Sequence, residues 1–318
     1  MGANLLYYGD DNPGISRIRW GTGFSYRAPD GTTIDDPTER TRLEAMAIPP
    51  AYENVWMSPH TNGHLQATGL DARDRKQYRY HDLWAEQQAR AKFDALPEFG
   101  ESLPRLRRRI RRDLKEEEGT RRFALAAAAA MIDRMAIRVG NPEYARDNGS
   151  YGVLTLRRKH LKLKDGKISL DYRAKGGKRV RRSLSDRTLA RVLHAAADLP
   201  GATLLTWIED GETFTLGSGA LNDYLREASG HDGSTAKTFR TWAGTVSAFE
   251  VAEQGGATIK SMSEAAAERL KNTPAIARSS YIHPDVIALA GTDPNLPDAP
   301  DIRELRAAEA RLLAFLGR

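Results

Sequence analysis

The sequence predicts an α+β fold in two parts. A β-rich N-terminal domain covers residues 1–92, and a larger, mainly α-helical catalytic domain covers residues 93–318 and carries a small antiparallel sheet. Three observations lead there. Short alternating segments rich in aromatic and β-branched residues, separated by Gly, Pro, Asn and Asp, fill the first ninety residues. A long alanine-rich run follows, with Leu125, Ile132, Met135 and Val139 at the spacing of a buried helix face. Within the second part the period changes back to short strand-like runs between Val153 and Leu184. A chain of 318 residues is also long enough for two domains of ordinary size.

Taken in order, Ile15 to Tyr26 alternates loosely, and Pro29-Asp30-Gly31 supplies a turn. A short helix is expected from Thr38 to Met46, stopped by Pro49-Pro50. Tyr52–Met57 and His64–Thr68 read as strands around a turn ending at Gly63, and Arg75–Tyr80 reads as another strand. Asp82 to Leu96 is expected to be helical up to Pro97. Residues 97–120 form a basic linker or helix, with six arginines between Arg105 and Arg112. Thr120 to Val139 reads as one helix, ended by Gly140-Asn141-Pro142. Val153–Leu156, His160–Leu163, Ile168–Tyr172 and Val180–Leu184 read as a β-meander, with turns at Asp165-Gly166 and Gly176-Gly177. Helices resume around Leu189, Gly219, Thr238 and Ser261, the last with Ser261 and Glu264 as a capping box. Thr273 caps a further helix with Pro274 at its first position, and a final amphipathic helix is expected from Asp301 to Leu316.

Composition removes several classes of function. There is no cysteine, hence no disulfide, thiolate metal site or cysteine nucleophile. The N-terminal segment lacks the basic start and apolar core of a signal peptide, and no apolar run approaches membrane-spanning length. The expected location is the cytoplasm, in association with the nucleoid, with no membrane partner. The net charge is +6 and is unevenly spread: from Arg157 to Arg182, Lys and Arg outnumber the two aspartates several-fold. Such density on a sheet is costly unless a polyanion neutralises it, although a solvated basic face would look the same in sequence. Around Arg75, Lys76, Gln77, Tyr78, Arg79 and Tyr80, basic and aromatic residues alternate. On a strand, Lys76, Tyr78 and Tyr80 share one face while Arg75, Gln77 and Arg79 share the other. Gln reads adenine, Arg and Lys bind phosphate or guanine, and Tyr reaches phosphate or packs on the sugar. Taken alone, this is equally a half-buried edge strand.

The run DARDRKQYRYH from Asp71 to His81, preceded by Ile48-Pro49-Pro50-Ala51-Tyr52, resembles the N-terminal signature of the small type IB DNA topoisomerases of bacteria and poxviruses. Further similarities follow in that family's order. Ile137 to Gly140 resembles the motif of its first catalytic arginine, here Arg138, and Gly152 to His160 resembles the start of its β-meander. Tyr172 to Lys178 resembles the hairpin of the catalytic lysine, here Lys175. Lys237 to Trp242 resembles the box of the second arginine, Arg240, with Lys237 assisting proton transfer. Asn272-Thr273-Pro274 followed by Ser280-Tyr281 resembles the last motif, with Tyr281 as nucleophile. The resemblance implies the topoisomerase IB and tyrosine recombinase catalytic fold. It implies relaxation of positive and negative supercoils through a 3′-phosphotyrosyl intermediate, without ATP, metal or any other cofactor. Double-stranded DNA would be the partner of a monomer with no obligatory protein partner, and Tyr144, Arg157 and Lys159 would be further DNA contacts.

The chemistry suits these residue types. Two guanidiniums offer planar donor forks to a pentacoordinate phosphorus. A lysine near arginines is shifted towards a usable general acid for the departing 5′-oxygen. A phenol, with a pKa of about 10, is a far better leaving group than an alkyl alcohol, so the phosphotyrosyl bond is reversible. Arg138 is placed in the last turn of its helix, where the dipole favours a cation. Asn272 departs from the family, in which many members carry histidine. It is expected to donate a hydrogen bond but not to act as acid or base. His160 and His283 are taken as structural or phosphate contacts. Two other readings fit part of the pattern, a tyrosine site-specific recombinase and a non-catalytic DNA-binding protein. Against the first, Lys237 stands where recombinases usually carry histidine.

Overall fold

The structure, a computed structural model, describes residues 4–294, 296, 298 and 301–317. The chain divides into two compact units, Met1–Lys92 and Phe93–Arg318. In the first, β1 (Ile15–Trp20) and β2 (Gly23–Arg27) form a hairpin, so the loosely alternating stretch is two strands. The break falls at Gly21, whose φ of +55° is open to glycine at little cost. Helix α1 (Pro37–Ala45) is capped by Asp36, whose carboxylate accepts from the Glu39 amide at 2.8 Å. Strands β3 (Glu53–Met57), β4 (Leu65–Leu70) and β5 (Lys76–Tyr80) complete an antiparallel sheet in the order β2-β1-β3-β4-β5. Leu43 and Met46 from α1 and its end pack with Ile15, Tyr26, Val55, Met57 and Ala67 as the core of this unit. β5 is an edge strand and is largely exposed.

Helix α2 (Asp82–Asp94) carries the chain from one unit into the other. Pro97 does not stop it. Pro97 instead stands in the first turn of the next helix, α3 (Leu96–Asp113), where its missing N–H is not needed. The arginine-rich stretch is therefore helix. Leu96, Phe99, Leu103, Leu106 and Ile110 form its buried stripe, and the arginines occupy the other faces. Helix α4 (Arg121–Met135), capped by Thr120, runs through the core with Ala126 to Ala129 fully buried. Its last residue is Met135, four before the expected Val139, and Ala136 follows as its C-cap in the left-handed conformation (φ +49°). Gly140-Asn141-Pro142 is not its stop but the start of the short helix α5 (Pro142–Asn148), with the Asn141 side chain accepting from the Glu143 amide at 2.7 Å.

The expected strand Val153–Leu156 is a buried turn. Its shape is fixed by Thr155 Oγ1, which accepts from the Gly152 amide at 2.9 Å. Strands β6 (Leu161–Lys164), β7 (Lys167–Arg173) and β8 (Arg179–Ser185) form the antiparallel meander, with Asp165 and Gly166 as a two-residue turn at positive φ. Helix α6 (Arg187–Asp198) follows. Next comes a hairpin the sequence reading did not find, β9 (Thr206–Glu209) and β10 (Glu212–Thr215). Its Asp210-Gly211 turn was the available signal. Helices α7 (Ser218–Ser229), α8 (Ala236–Ala252), α9 (Ile259–Leu270), α10 (Pro274–Tyr281), α11 (Pro284–Ala288) and α12 (Ala307–Leu316) complete the unit. The cap of α9 is Thr258 with Ser261, one turn earlier than the Ser261–Glu264 pair. α12 begins at Ala307, later than the expected Asp301. Among the described residues no helix is long and apolar enough to cross a membrane.

A buried ion network ties four of these helices together. Glu309 of α12, fully buried, accepts from both terminal nitrogens of Arg107 on α3 at 2.8 and 2.9 Å. It also accepts from Arg306 at 2.7 Å and from the Trp242 indole on α8 at 3.2 Å. Arg107 reaches Asp133 on α4 as well, at 2.8 and 2.9 Å. Burial pushes the Glu309 carboxyl up, but the Arg107 and Arg306 guanidiniums more than reverse this and hold it well below the ordinary carboxylate range. A depressed carboxyl stabilises the fold at every pH above the ordinary range and loses that effect only as the pH falls through its folded value. Glu309→Gln should therefore destabilise the protein by about 3 kcal/mol at neutral pH, because it leaves buried charge uncompensated. The loss should be undiminished at mildly acidic pH, and urea denaturation at both pH values checks it.

Candidate active site

Arg240 stands in the first turns of α8, and its position follows from two helix ends. Its Nη1 donates to the carbonyl of Ala136, the C-cap of α4, at 2.5 Å. Its Nη2 donates to the carbonyl of Leu270, the last residue of α9, at 3.2 Å. The last carbonyls of a helix have no partner within it and carry its negative dipole end, so two such ends make a seat for a buried cation. The dipole argument made for Arg138 thus belongs to Arg240. Arg138 lies beyond the end of α4, in an extended segment whose carbonyl accepts from the Val153 amide at 2.8 Å. The segment is held by a close approach. A Cβ on Gly152 would fall 2.3 Å from the Gly140 nitrogen and 2.5 Å from the Arg138 carbonyl oxygen, so only glycine fits there.

Asn272 joins the two arginines. Its Oδ1 accepts from Arg138 Nη2 and, at 3.3 Å, from Arg240 Nη2. Because guanidiniums only donate, the amide must turn its oxygen towards them, which leaves its Nδ2 as a donor. That Nδ2 is buried and has no partner among the described residues, and the same holds for Arg240 Nε. Arg138, Lys175 and Arg240 line one cleft together with Lys178, Arg182 and Lys271. Lys175 stands exposed at the tip of the β7–β8 hairpin, where Gly176 and Gly177 both take positive φ. Burial, then the neighbouring Arg138, push the Arg240 guanidinium down to about 10. Uncompensated positive charge held this close favours an anion in the cleft.

Tyr281 ends α10 and is 9% exposed. Its ring packs with Ala136, Ala243 and Leu270, and the Arg240 guanidinium lies 5.2 Å from the ring centre. Burial raises its phenol, but the charges of Arg240 and Arg138 outweigh that and bring it below the ordinary tyrosine value. Gly244, one turn after Arg240 on α8, permits this approach. A Cβ there would lie 2.6 Å from the Tyr281 carbonyl oxygen and 3.0 Å from its Cβ. Thr245 Oγ1 donates to the same carbonyl at 3.2 Å and accepts from the His283 amide at 3.1 Å, which fixes the end of α10.

The other expected site residues are dispersed. Lys237 lies exposed one turn before Arg240 and does not line the cleft. On β5, Lys76 pairs with Asp10 at 2.5 Å, while Gln77 and Arg75, which precedes the strand, both bond Asp71, at 3.0 and 2.6 Å. Tyr78 and Tyr80 stack with ring centres 6.1 Å apart and stay exposed, as does Arg79. Tyr144 is exposed on α5, Arg157 lies over the Tyr151 ring, and Lys159 borders a groove with Arg181 and Arg182. His160 and His283 are both buried. Each accepts a backbone amide through Nδ1, from Arg157 at 3.0 Å and Asp285 at 3.1 Å, and burial lowers the pKa of both. Sequence reading missed Arg182, which nothing distinguishes from its basic neighbours, and Gly244, whose role depends on α10. Among the described residues no group of His, Asp or Glu is gathered to hold a metal ion.

Comparison with known proteins gives this cluster a context. The family described as eukaryotic DNA topoisomerase I, catalytic core, matches residues 76–278, and the bacterial DNA topoisomerase IB N-terminal domain matches residues 23–71. The chain belongs to the type IB DNA topoisomerases. The enzyme is thus an isomerase whose substrate is DNA. It is 29% identical over 286 residues to DNA topoisomerase 1B of Acanthamoeba polyphaga mimivirus, covering 85% of each chain. It is 24% identical over 121 residues to DNA topoisomerase 1B of vaccinia virus, covering 38% of each. The catalytic-core match contains Arg138, Lys175, Arg240 and Asn272 but ends three residues before Tyr281, so the place of the tyrosine rests on the geometry around Arg240.

The Gly244 contact gives a direct check on that geometry. Gly244→Ala should leave the topoisomerase folded but move the end of α10, slowing DNA relaxation by about ten- to a hundredfold, the scale of an ångström-sized misplacement. A relaxation assay beside a thermal melt measures both, and wild-type relaxation would show that the close approach is not needed.

Proposed function

We propose that the enzyme relaxes positive and negative supercoils by cutting and rejoining one DNA strand through Tyr281, with no requirement for ATP or a metal ion. One observation supports this above the others: Arg138 and Arg240 both bond Asn272 Oδ1, both act on the Tyr281 phenol, and the same two guanidiniums line a cleft with Lys175. A scissile phosphate in that cleft would place its non-bridging oxygens against Arg138, Arg240 and Asn272 Nδ2. The phenol, its ionisation eased by the two arginines, attacks the phosphorus. The Tyr281 Oη–P bond forms as the P–O5′ bond breaks, and the 5′-oxygen takes a proton from Lys175, with Lys237 assisting. The phosphotyrosyl bond keeps the energy of the broken one because a phenol is a good leaving group. The 5′-hydroxyl then reverses the step after the helix has rotated. Phosphate contacts from Arg157, Lys159, Tyr144 and the exposed residues of β5 would hold the duplex.

Relaxation of a supercoiled plasmid in excess EDTA and without ATP tests this reading, with Tyr281→Phe beside the wild type. The wild type should relax supercoils of both signs and the variant neither. Relaxation by both would remove Tyr281 as nucleophile, and relaxation by neither would overturn ATP- and metal-independent relaxation by this chain. The role of Asn272 is checked separately. Asn272→Ala should slow cleavage strongly, by about 10²–10³-fold if the amide stabilises transition-state charge, while Asn272→His should retain substantial activity. Unimpaired rates for both would discard that role.

A further inference from the structure

The β7–β8 hairpin delivers Lys175, yet its tip has little to hold it. The tip residues are exposed, and around Gly176 and Gly177 even an added Cβ would meet nothing within 4 Å. A segment with so few contacts takes its position from whatever ties its base. On the β7 side the Arg173 carbonyl accepts from the Tyr151 amide at 2.7 Å and the Ala174 carbonyl from the Ser150 hydroxyl at 3.3 Å; on the β8 side two side-chain ties lead to the end of α9 and the residues just after it. Arg182 on β8 donates through Nη1 to the Arg269 carbonyl at 2.9 Å, and Lys178 Nζ donates to the Asn272 carbonyl at 3.3 Å.

Arg269 and Leu270 are the last two residues of α9. Their carbonyls receive Arg182 from the sheet and Arg240 from α8. The hairpin and the buried arginine of the site are thus referenced to the same helix terminus. The Arg182 guanidinium also acts on the Tyr172 phenol of the opposite strand, so it braces both strands below the tip. Its Nε is buried without a hydrogen-bond partner among the described residues, an unmade bond that costs stability.

We infer that Arg182 is a positioning residue, which sets the reach of the Lys175 hairpin into the cleft by fastening β8 to the C-terminus of α9. The inference rests on Lys175 as the general acid. Replacing Arg182 should therefore impair one event, delivery of the proton to the departing 5′-oxygen. Lysine at this position keeps the charge but cannot bridge two partners with a planar fork.

The test is single-turnover cleavage by the full chain, comparing a DNA substrate with an ordinary 5′-oxygen at the scissile bond and one with a 5′-bridging sulfur. A thiolate leaves without a proton, so the sulfur substrate bypasses the acid. Arg182→Lys should cleave the oxygen substrate about ten- to a hundredfold more slowly than wild type and the sulfur substrate at close to the wild-type rate. Lys175→Ala, the control, should show the same rescue. An Arg182→Lys enzyme slowed equally on both substrates, with Lys175→Ala rescued, overturns the positioning role alone. A Lys175→Ala enzyme that sulfur does not rescue overturns Lys175 as the acid and this inference with it. Wild-type rates for Arg182→Lys on both substrates overturn the inference directly. Should Arg182→Lys fail to fold, Lys178→Ala cuts the second tie from an exposed position and is read in the same way.

Discussion

The catalytic unit is organised around the hydrogen bonds from Arg240 to the carbonyl ends of α4 and α9. A guanidinium so buried would be expensive without partners, and two helix termini with unpaired carbonyls are among the cheapest partners a protein can supply. The same arrangement explains why α4 stops at Ala136. The left-handed turn there frees the carbonyl that Arg240 takes, and it sends the chain into the extended segment that presents Arg138. Asn272 then follows directly from the end of α9, where its oxygen meets both arginines. Three of the six proposed catalytic side chains are consequences of where two helices end.

Close approaches of backbone complete the arrangement. Gly152 against Gly140 holds the Arg138 segment to the turn before the meander, and Gly244 lets the end of α10 lie on α8. Neither glycine bears a side chain, yet one lets the Arg138 segment lie where it does and the other lets Tyr281 pack beside Arg240. The Glu309 network works at longer range. Through the Trp242 indole it fastens α8 two residues beyond Arg240 to α3, α4 and α12, so the helix that carries the arginine is tied to three others. Rigid support of this kind is what electrostatic stabilisation of a charged transition state requires, because donors that must reorganise lose much of their effect.

Much of this was legible in residue order. The α+β division, the meander with its Asp165-Gly166 turn, and the Thr273-Pro274 start of α10 are local features. Their signals lie within a few residues of one another, in turn chemistry, caps and periodicity. The candidate site residues stood out for a different reason: phosphoryl transfer restricts the usable side chains to few types, and the motifs that carry them follow the family's order. Element boundaries were less legible. Gly140-Asn141-Pro142 reads equally as the end of one helix or the start of another, and only the capture of the Ala136 carbonyl by Arg240, more than a hundred residues away, settles which. The β5 residues show the same limit. Sequence displays Arg75 and Gln77 as open donors, whereas folding commits both to Asp71.

The sequence by itself therefore determined the class of fold and the family, because helix period, turn residues and the order of the motifs are written in the chain itself. Tertiary structure decided which cation is buried, where each helix stops, and which basic residue of a uniformly basic meander braces the lysine. Those outcomes depend on carbonyls, glycines and burial contributed by segments distant in the chain. A partial charge at a helix end has no location until the fold brings that end against another residue.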